Sequence, residues 1–459
     1  MPRYSIFKPI GLSCVVLLLV SGCARYPRAE GEQSSADTVF SSVSFLAGDV
    51  GGSWGALCED EVLAGLIAQG LSSNYSLRAA WHRLEQSGYA LRSTRSSRYP
   101  QLTLQGAGGQ QRQLLRDGGT ASGDIWSASA ALSYELDVWQ RLSASVAGAG
   151  YRFEATAMDY EAMAVSMAAA ISDAWLDVQA GVATVELLQQ QLVSAGSALH
   201  AVERRFQEGL GALLDVYQQR ELVAGLRSLV PGAEASVAIS RERLALLLGR
   251  DPEALDVEPN GMLPNPVALT RDVDWLEHVH VRPDVRAAWL RLQAADQEVI
   301  FAARARLPLF RLSAQAVTRE ESAGDLLDEI SGDALLQVTL PLLDGGRLRA
   351  EADRISAAAA ERLESYRETE LQALREIREA LVLDAAQAET VARLREELDA
   401  ARRTLELSRE RYRNGLVEYL NVLAAQQRVQ VLERGLLRAA RQRLAYQVQF
   451  ARATAGVRD

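Results

Sequence analysis

A twelve-residue sequence occurs twice in this chain in nearly the same form. Phe206–Tyr217 reads FQEGLGALLDVY and Tyr412–Leu423 reads YRNGLVEYLNVL, so the aromatic residue, the Gly-Leu pair and the later apolar positions stay in register. A long amphipathic stretch without proline precedes each copy. Glycine favours the left-handed backbone that ends a helix, so Gly209 and Gly415 each predict a turn between two long helices. Any fold for this chain must therefore contain two equivalent helical tips.

The helices that lead into these tips share one apolar repeat. Apolar residues recur at heptad spacing before the first tip, at Ile171, Val178, Val185, Leu192, Leu199 and Phe206, and before the second, at Ile377, Val391, Leu398, Leu405 and Tyr412. A helix of this extent is about 100 Å long at 1.5 Å per residue. A globular core does not use helices of that length, whereas coiled-coil and tubular assemblies do. We interpret the apolar stripe as helix packing and not as a ligand site.

Short segments of period two lie between the helices. Alternation of apolar or small residues with polar ones predicts strands with one apolar face. The segments are Gln101–Gly108 and Trp126–Tyr134 in the first half, and Phe310–Ala316 and Ala334–Leu340 in the second. The polar stretch Gly109–Gly123 is predicted to be a long loop, and the acidic stretch Arg319–Asp333 a solvated one. Each half thus predicts a hairpin.

The repeat also predicts the domain organisation. We expect a lipoprotein signal peptide over residues 1–22, a lipidated arm over 23–59, a first structural repeat over 60–266 and a second over 267–459. Each repeat is predicted to run helix, hairpin, very long helix, tip and returning helix. Proline removes a helix donor, so Pro231 is predicted to kink or break the first returning helix.

The N-terminus resembles a bacterial lipoprotein signal. Arg3 and Lys8 precede the apolar stretch Ile10–Val20, which is too short to span a bilayer comfortably. The segment Val-Ser-Gly-Cys that ends at Cys23 resembles a lipobox, which predicts acylation, including palmitate, at that cysteine; the alternative is an ordinary signal peptide with an incidental cysteine. Cys58 then stands alone in the mature chain, and we interpret it as a structural residue near the arm.

Composition argues against several other classes of function. The net charge is −10, which disfavours nucleic-acid binding. His278 and His280 form the closest histidine pair, with no ligand constellation around them, so we expect no metal site, no cofactor and no catalytic residues. No phosphate-binding glycine loop or nucleophile elbow occurs in the sequence. The chain is not expected to be an enzyme.

Four amphipathic strands cannot form a stable isolated sheet in lipid, because the open edges leave backbone groups unpaired. Closure by three copies gives about twelve strands, within the range of outer-membrane barrels. The predicted fold class is therefore mainly α with a membrane β-barrel. Duplicated long helical hairpins form a trimeric α-barrel, and four strands per chain contribute to a shared 12-stranded barrel.

Several motifs resemble those of the outer membrane factor family, the TolC-like channels, and especially its OprM/NodT-type lipoproteins. They follow in order along almost the whole mature chain. Besides the lipobox and both tips, they are Leu132–Leu142, Leu246–Arg250, Arg282–Ala288 and Leu340–Arg349.

The resemblance implies an outer-membrane exit duct of a tripartite efflux system, lipid-anchored and extending into the periplasm. It implies a homotrimer that exports small molecules together with a periplasmic adaptor and an inner-membrane transporter. One alternative is the exit duct of type I secretion. Another is a coiled-coil periplasmic scaffold or adaptor lipoprotein, which explains the long helices but not two alternating-face hairpins. The sequence does not identify the exported substrate.

The resemblance also implies that the tips close the periplasmic entrance. In the family an Asp on one tip bonds to a Tyr on the other, and these positions correspond to Asp215 and Tyr412. A polar partner two residues after the tip glycine is replaced here by Val417. The acidic ring positions fall on Asn421 and Ala424, which carry no charge.

Carboxylates elsewhere in the tips are the candidates for a negative entrance. Asp215, Glu208 and Glu418 are the residues expected to supply that potential in three copies. The alternative for Asp215 is a solvated charge in the first turn of a helix, where a carboxylate is favourable.

Overall fold

The computed structural model describes residues 60–114, 118–254, 257–269 and 275–455. Eight helices and four strands occupy these ranges. They are α1 (Glu61–Ser73), α2 (Tyr75–Ser96), β1 (Gln101–Leu114), β2 (Thr120–Leu136), α3 (Arg141–Gln207), α4 (Leu213–Leu248), α5 (Trp275–Val281), α6 (Pro283–Arg304), β3 (Leu309–Glu320), β4 (Ser331–Thr339), α7 (Arg347–Arg413) and α8 (Tyr419–Ala453). The predicted signal peptide, the arm, Cys23 and Cys58 lie outside the described residues.

The two halves of the chain have matching elements. Helices α2 and α6 each have 22 residues, and α3 and α7 each have 67. The returning helices α4 and α8 have 36 and 35 residues. A hairpin stands between the short and the long helix in both halves.

The strands form one antiparallel sheet in the order β1-β2-β3-β4. The pairing of β2 with β3 joins the two hairpins, with Tyr134 opposite Leu312 and Ala130 opposite Ala316. Strands β1 and β4 are the edges of this sheet, and no other strand in the described ranges pairs with their outer sides. The outer sides of these two strands therefore carry rows of backbone donors and acceptors without a strand partner among the described residues.

The strand register divides the sheet into two chemically different faces. One face carries apolar or small residues over most of its length: Leu102, Leu104, Gly106, Gly108, Trp126, Ala128, Ala130, Leu132, Tyr134, Leu136, Phe310, Leu312, Ala314, Ala316, Ala334, Leu336 and Val338. The other face is mostly polar, with Thr103, Gln105, Ser129, Ser133, Arg311, Gln315 and Gln337 among its residues. Adjacent residues of a strand point to opposite faces, so this division extends across all four strands.

The predicted loop over Gly109–Gly123 is wrong over most of its length. Strand β1 continues to Leu114 and β2 begins at Thr120, with Gln110 opposite Asp124. Glycine and polar residues hide the alternation of apolar and polar side chains in this segment. The strands nevertheless pair there, because the hydrogen bonds between them are made by the backbone. The acidic loop of the second hairpin is also shorter than predicted, because β3 runs to Glu320 and β4 begins at Ser331.

An aspartate precedes each long helix. Asp137 accepts bonds from the backbone N–H groups of Leu142 and Ser143 at 2.9 and 2.8 Å. Asp344 accepts from Gly346 and Leu348, both at 2.9 Å. Burial acts to raise the pKa of Asp137, but the bonds from Ser143 and Leu142 outweigh it and lower the pKa. Each carboxylate satisfies backbone donors that helix formation leaves unpaired.

Contacts divide the chain into two compact units, and the strands belong to the first. Its described residues lie in 85–154 and 290–364. Trp139 donates from Nε1 to the Pro308 carbonyl at 2.8 Å, and Arg304 donates to the Gln140 carbonyl at 2.8 Å. These bonds join the end of the first hairpin to the start of the second.

The second unit contains the larger helical core. Its described residues lie in 60–84, 155–289 and 365–455. Leu63, Ile67, Ile171 and Leu244 are fully buried together in its main cluster. Trp175 donates from its indole to Asp60 at 2.8 Å, which places a polar contact beside this cluster.

Equivalent polar residues tie each returning helix to the start of a short helix. Asn74 donates to the Leu247 carbonyl at 2.8 Å and accepts from the N–H of Ser76 and Leu77, which ends α1 and begins α2. Arg282 occupies the corresponding place before α6 and donates to the Ala453 carbonyl at 3.0 Å. An amide thus links the returning helix to the short helix in the first half, and a guanidinium makes the equivalent link in the second half.

Pro231 lies inside a continuous helix, so the predicted break is wrong. Its ring is exposed on α4, where water can satisfy the carbonyl that loses its helical donor. Helix α4 also has the length and composition to cross a membrane, but its ends are held within the helical unit by Gln219 and Leu247.

The apolar stripe is buried differently on the two long helices. On α7 the predicted positions Ile377, Val391, Leu398 and Leu405 are buried. On α3 the burial moves from Ile171 and Val178 to the intermediate residues Leu188, Ala195 and Val202, and Phe206 is exposed. On α3 the buried stripe therefore moves from the first set of heptad positions to the intermediate set.

Candidate functional site

Both tips end their long helices with the same backbone geometry. Gly209 and Gly415 have φ angles of 73° and 69°. Leu210 N donates to Arg205 O at 2.8 Å, and Leu416 N donates to Arg411 O at 2.9 Å. Gly209 and Gly415 in turn donate to Phe206 and Tyr412, both at 3.0 Å. This pair of bonds is the Schellman arrangement, in which a left-handed residue satisfies the last helical carbonyls.

The structure brings Asp215 and Tyr412 together. Tyr412 Oη donates to Asp215 Oδ2 across 3.5 Å, a long hydrogen bond. Asp215 lies in the first turn of α4, and Tyr412 lies near the end of α7. The contact joins the first tip to the second within one chain.

A second and shorter bond lies next to this pair. Tyr419 Oη donates to Gln219 Oε1 at 2.7 Å, and Gln219 Nε2 donates to the Ala195 carbonyl at 2.8 Å. Gln219 is 0 % exposed and Tyr419 is 4 % exposed. Three helices, α3, α4 and α8, are therefore connected through one buried amide.

The two tyrosines and one arginine pack together. The rings of Tyr412 and Tyr419 are 5.2 Å apart between centroids, and the Arg205 guanidinium lies 4.9 Å from the centroid of the Tyr412 ring. Burial and the neighbouring Asp215 charge raise the pKa of Tyr412, although Arg205 opposes that shift. Burial is also the main cause that raises the pKa of Tyr419. Both phenols are consequently neutral hydrogen-bond donors near neutral pH.

The other predicted tip residues do not join this cluster. Glu208, Glu418 and Asn421 are exposed. Asn421 donates from Nδ2 to the Glu418 carbonyl at 3.3 Å, a local bond within the turn. Ala424, at the remaining ring position, is also exposed.

The Tyr419–Gln219 bond was missed from the sequence, because Gln219 lies outside the repeated tip sequence and the family pairing was carried over only for Asp215 and Tyr412. A signal was nevertheless present in the repeat. The positions equivalent to Tyr419 and Gln219 in the other half are Leu213 and Ala425, so a polar pair stands where the duplicate has apolar residues. The Asp215–Tyr412 pair also departs from the repeat, because its equivalents are Asn421 and Phe206, and phenylalanine has no hydroxyl to donate.

Metal-binding groups are not clustered in the described residues. No set of three or more His, Cys, Asp or Glu side chains there has the arrangement of a metal site. His280 Nε2 lies 3.5 Å from Glu370 on the helical surface.

Comparisons with known proteins agree on one family. The family model described as outer membrane efflux protein matches residues 66–250 and 279–456. Nodulation protein T of Rhizobium leguminosarum bv. trifolii is 26% identical over 435 residues, which cover 92% of this chain and 92% of the relative. The toluene efflux pump outer membrane protein TtgF of Pseudomonas putida is 27% identical over 412 residues, covering 88% and 85%.

The solved structure of the outer-membrane channel OprN superimposes with a TM-score of 0.82. The sequence identity is 24%, and the match covers 88% of this chain and 92% of that one. The predicted fold class, a mainly helical chain that contributes a few strands to a shared barrel, is confirmed by this likeness.

Proposed function

The chain belongs to the outer membrane efflux protein family, and from that premise we propose that it is the exit duct of a tripartite pump for small molecules. It is an outer-membrane efflux channel and not an enzyme. The toluene pump component among its relatives makes small apolar molecules one class of candidate cargo.

One observation carries the proposal, namely an open four-stranded sheet with one apolar face. We assign that face to lipid and the polar face to the channel interior. Between Trp126 and Leu136 the apolar face of β2 extends about 34 Å along the strand. With the roughly 45° tilt of barrel strands this is about 24 Å, close to the apolar band of about 25 Å in outer-membrane barrels.

Aromatic residues stand at both ends of this band. Trp126 lies at the end of the band that is nearer the turns of the β-hairpins. Trp139 and Phe310 lie at the opposite end, nearer the helices, with their ring centroids 6.5 Å apart. Tryptophan is enriched at membrane–water interfaces, because its ring is apolar while its N–H requires a partner. Trp139 has that partner in the Pro308 carbonyl.

Three copies close the sheet. The unpaired sides of β1 and β4 require partners in lipid, and β4 of one chain beside β1 of the next supplies them. The resulting homotrimer has a 12-stranded barrel.

The anchor and the partners belong to the same proposal. Acylation at Cys23, cleavage after residue 22 and an arm over 23–59 attach each copy to the outer membrane. The structural repeats at 60–266 and 267–459 then supply equal halves of the duct, and a periplasmic adaptor and an inner-membrane transporter complete the pump. Family membership makes an efflux pump a better supported assignment than type I secretion or a scaffold role.

We assign the closed periplasmic entrance to the two tips. Asp215 and Tyr412 form one link between them, and the exposed Glu208, Glu418 and Asn421 surround the turns at Gly209 and Gly415. With Asn421 and Ala424 uncharged, the negative potential at the entrance comes from Asp215, Glu208 and Glu418.

Conductance in planar bilayers tests both parts of the proposal. The purified trimer is expected to form discrete channels, and Asp215→Ala is expected to raise the single-channel conductance. Glu221→Ala, an exposed change on the same helix, is the matched control and is expected to leave it unchanged. Absence of channels in the parent protein would support the scaffold alternative, whereas channels with an unaltered conductance in Asp215→Ala would remove only Asp215 from the entrance.

A further inference from the structure

A cavity of about 490 Å³ lies beside the tyrosine pair, between the end of α3 and the tip segments of α7 and α8. The residues that line it include three arginines, Arg205, Arg409 and Arg413, together with Tyr412, Tyr419 and Gln426. All of them belong to the helical unit. The volume is within the range of sites that hold drug-sized molecules.

The charge of this cavity has one sign. Arg205, Arg409 and Arg413 line it, and no Asp or Glu is among the lining residues. Arg409 and Arg413 are one helical turn apart, so their side chains lie on the same face of α7. Three guanidinium groups around one volume favour an anion, and carboxylates suit their planar donors best.

Two buried donors at the cavity have no partner in the part of the chain that the structure describes. Gln426 is 3 % exposed, and its Nε2 is fully buried without a hydrogen-bond acceptor. The Nε atom of Arg205 is also buried and has no hydrogen-bond acceptor. A buried donor without an acceptor costs free energy, so each of these two side chains would gain a hydrogen bond by turning its donor toward an acceptor in the cavity.

The remaining walls are apolar and aromatic. Tyr412 and Tyr419 supply ring surfaces, and Ala198, Ala201 and Val202 supply small apolar ones. Such walls favour a flat apolar body attached to the charged group. We propose that each tip binds an aromatic organic anion, with its carboxylate at Arg409 and Arg413 and an acceptor within reach of Gln426.

The binding site adjoins the link between the tips. Tyr412 both lines the cavity and donates to Asp215, and the Arg205 guanidinium lies over its ring. A bound anion that attracts Arg205 therefore acts on the same tyrosine that joins the two tips. The site does not depend on which molecule the channel exports.

Calorimetric titration with 1-naphthoate tests the proposal on the full-length trimer in lipid nanodiscs. Empty nanodiscs give the heat of partitioning into lipid, which is subtracted. The neutral analogue 1-naphthamide has the same ring system without the charge. Saturable binding of naphthoate, at least tenfold tighter than that of naphthamide, is the expected result.

Two variants and one control locate the site. The double variant Arg409→Gln/Arg413→Gln is expected to weaken naphthoate binding at least tenfold, and Gln426→Leu about fivefold. Arg411→Gln removes an exposed arginine of the same helix that does not line the cavity, and it is expected to bind as the parent does.

Equal affinity for the acid and the amide, no saturable binding, or equal weakening by Arg411→Gln would each overturn the proposal. Single-channel recordings of the same preparations separate this result from the proposed function, because a folded trimer that conducts without binding naphthoate refutes the site alone.

Discussion

The phenol of Tyr419 donates a 2.7 Å hydrogen bond to Gln219 Oε1, and both side chains are buried, whereas the bond from Tyr412 to Asp215 is 3.5 Å long. Loss of a donor from a fully buried bond leaves the acceptor unsatisfied, whereas the acceptor of a long and only partly buried bond can turn to water. The firmer of the two links between the tips is therefore the one with no formal charge.

Tyr419→Phe is expected to loosen the tips more than Tyr412→Phe. Loss of the Tyr419 hydroxyl leaves Gln219 Oε1 buried without its donor, at a cost of about 1–3 kcal/mol. Hydrogen exchange of the first turn of α4 measures the effect, with faster exchange expected in Tyr419→Phe. Equal exchange rates in the two variants would show that Tyr419 is not the stronger link.

High pH is expected to open the tips through the same tyrosines. The pKa of Tyr419 is raised, chiefly by burial, and so is that of Tyr412. A raised folded-state pKa gives a contribution to stability that is complete below the ordinary tyrosine pKa of about 10 and is lost as pH rises through the raised value. Conductance is thus expected to be constant between pH 7 and 9 and to increase above about pH 10. The increase should be smaller in Tyr419→Phe.

Leu336 and Gln337 are neighbours on β4 that test which face of the sheet meets lipid. Leu336 is on the apolar face, and Gln337 is on the polar one. Leu336→Arg is expected to destabilise the trimer by about 2–4 kcal/mol, because it places a cation in the bilayer. Gln337→Arg serves as the matched control; it places a second cation opposite Arg311, so it is expected to cost the trimer at most about 1 kcal/mol while altering ion selectivity. Heat resistance of the trimer on gels and reversal potentials measure the two effects, and the opposite pattern would reverse the assigned faces.

Gly249 is expected to tolerate substitution less well than the glycines of the tips. Its φ is 65°, and a Cβ there would meet the Ser73 carbonyl oxygen at 2.7 Å. Gly209 has a similar φ of 73° but open space around it. Gly209→Ala is expected to cost about 1 kcal/mol for the left-handed backbone alone, and Gly249→Ala distinctly more. Thermal unfolding of the two variants compares them directly, and similar midpoints would argue against a close approach at Gly249.

Arg282 is expected to stabilise the joint between α6 and α8, and the effect should disappear in acid. Its guanidinium is 7 % exposed and bonds to Asp284, Glu376 and the Ala453 carbonyl. Burial acts to raise the pKa of Asp284, but the bond and charge of Arg282 outweigh it and lower the pKa. A lowered folded-state pKa gives stability that is present above about pH 4 and is lost as pH falls further.

Arg282→Met should therefore destabilise the trimer by about 2 kcal/mol at pH 7, the loss expected for hydrogen bonds to charged groups, and by less at pH 3. Thermal unfolding at the two pH values measures this difference. Arg286→Met, four residues along α6, is the control for loss of charge. A pH-independent loss in Arg282→Met would mean that packing, and not the ion pair, holds the joint.

The sequence predicted the features that have a period or a duplicate. The long helices, the hairpins and the turns at the two tip glycines follow from heptads, alternation and the repeat. The extension of β1 to Leu114 was not predicted, because its outer part is polar on both faces and only the backbone ladder defines it. Pro231 was expected to kink or break α4, but the helix is continuous there and the proline ring is exposed. The cavity beside Tyr412 depends on the separation of three helices, which no local pattern encodes.

The unpaired sides of β1 and β4 have a consequence for how the protein is made. A single copy would expose two unpaired strand edges and the apolar face of the sheet to the aqueous periplasm. The proposed barrel can therefore form only when copies assemble. Stability then depends on the concentration of subunits, as in any obligate assembly. Low expression should therefore leave a larger fraction of the chains as unassembled monomers that are open to degradation.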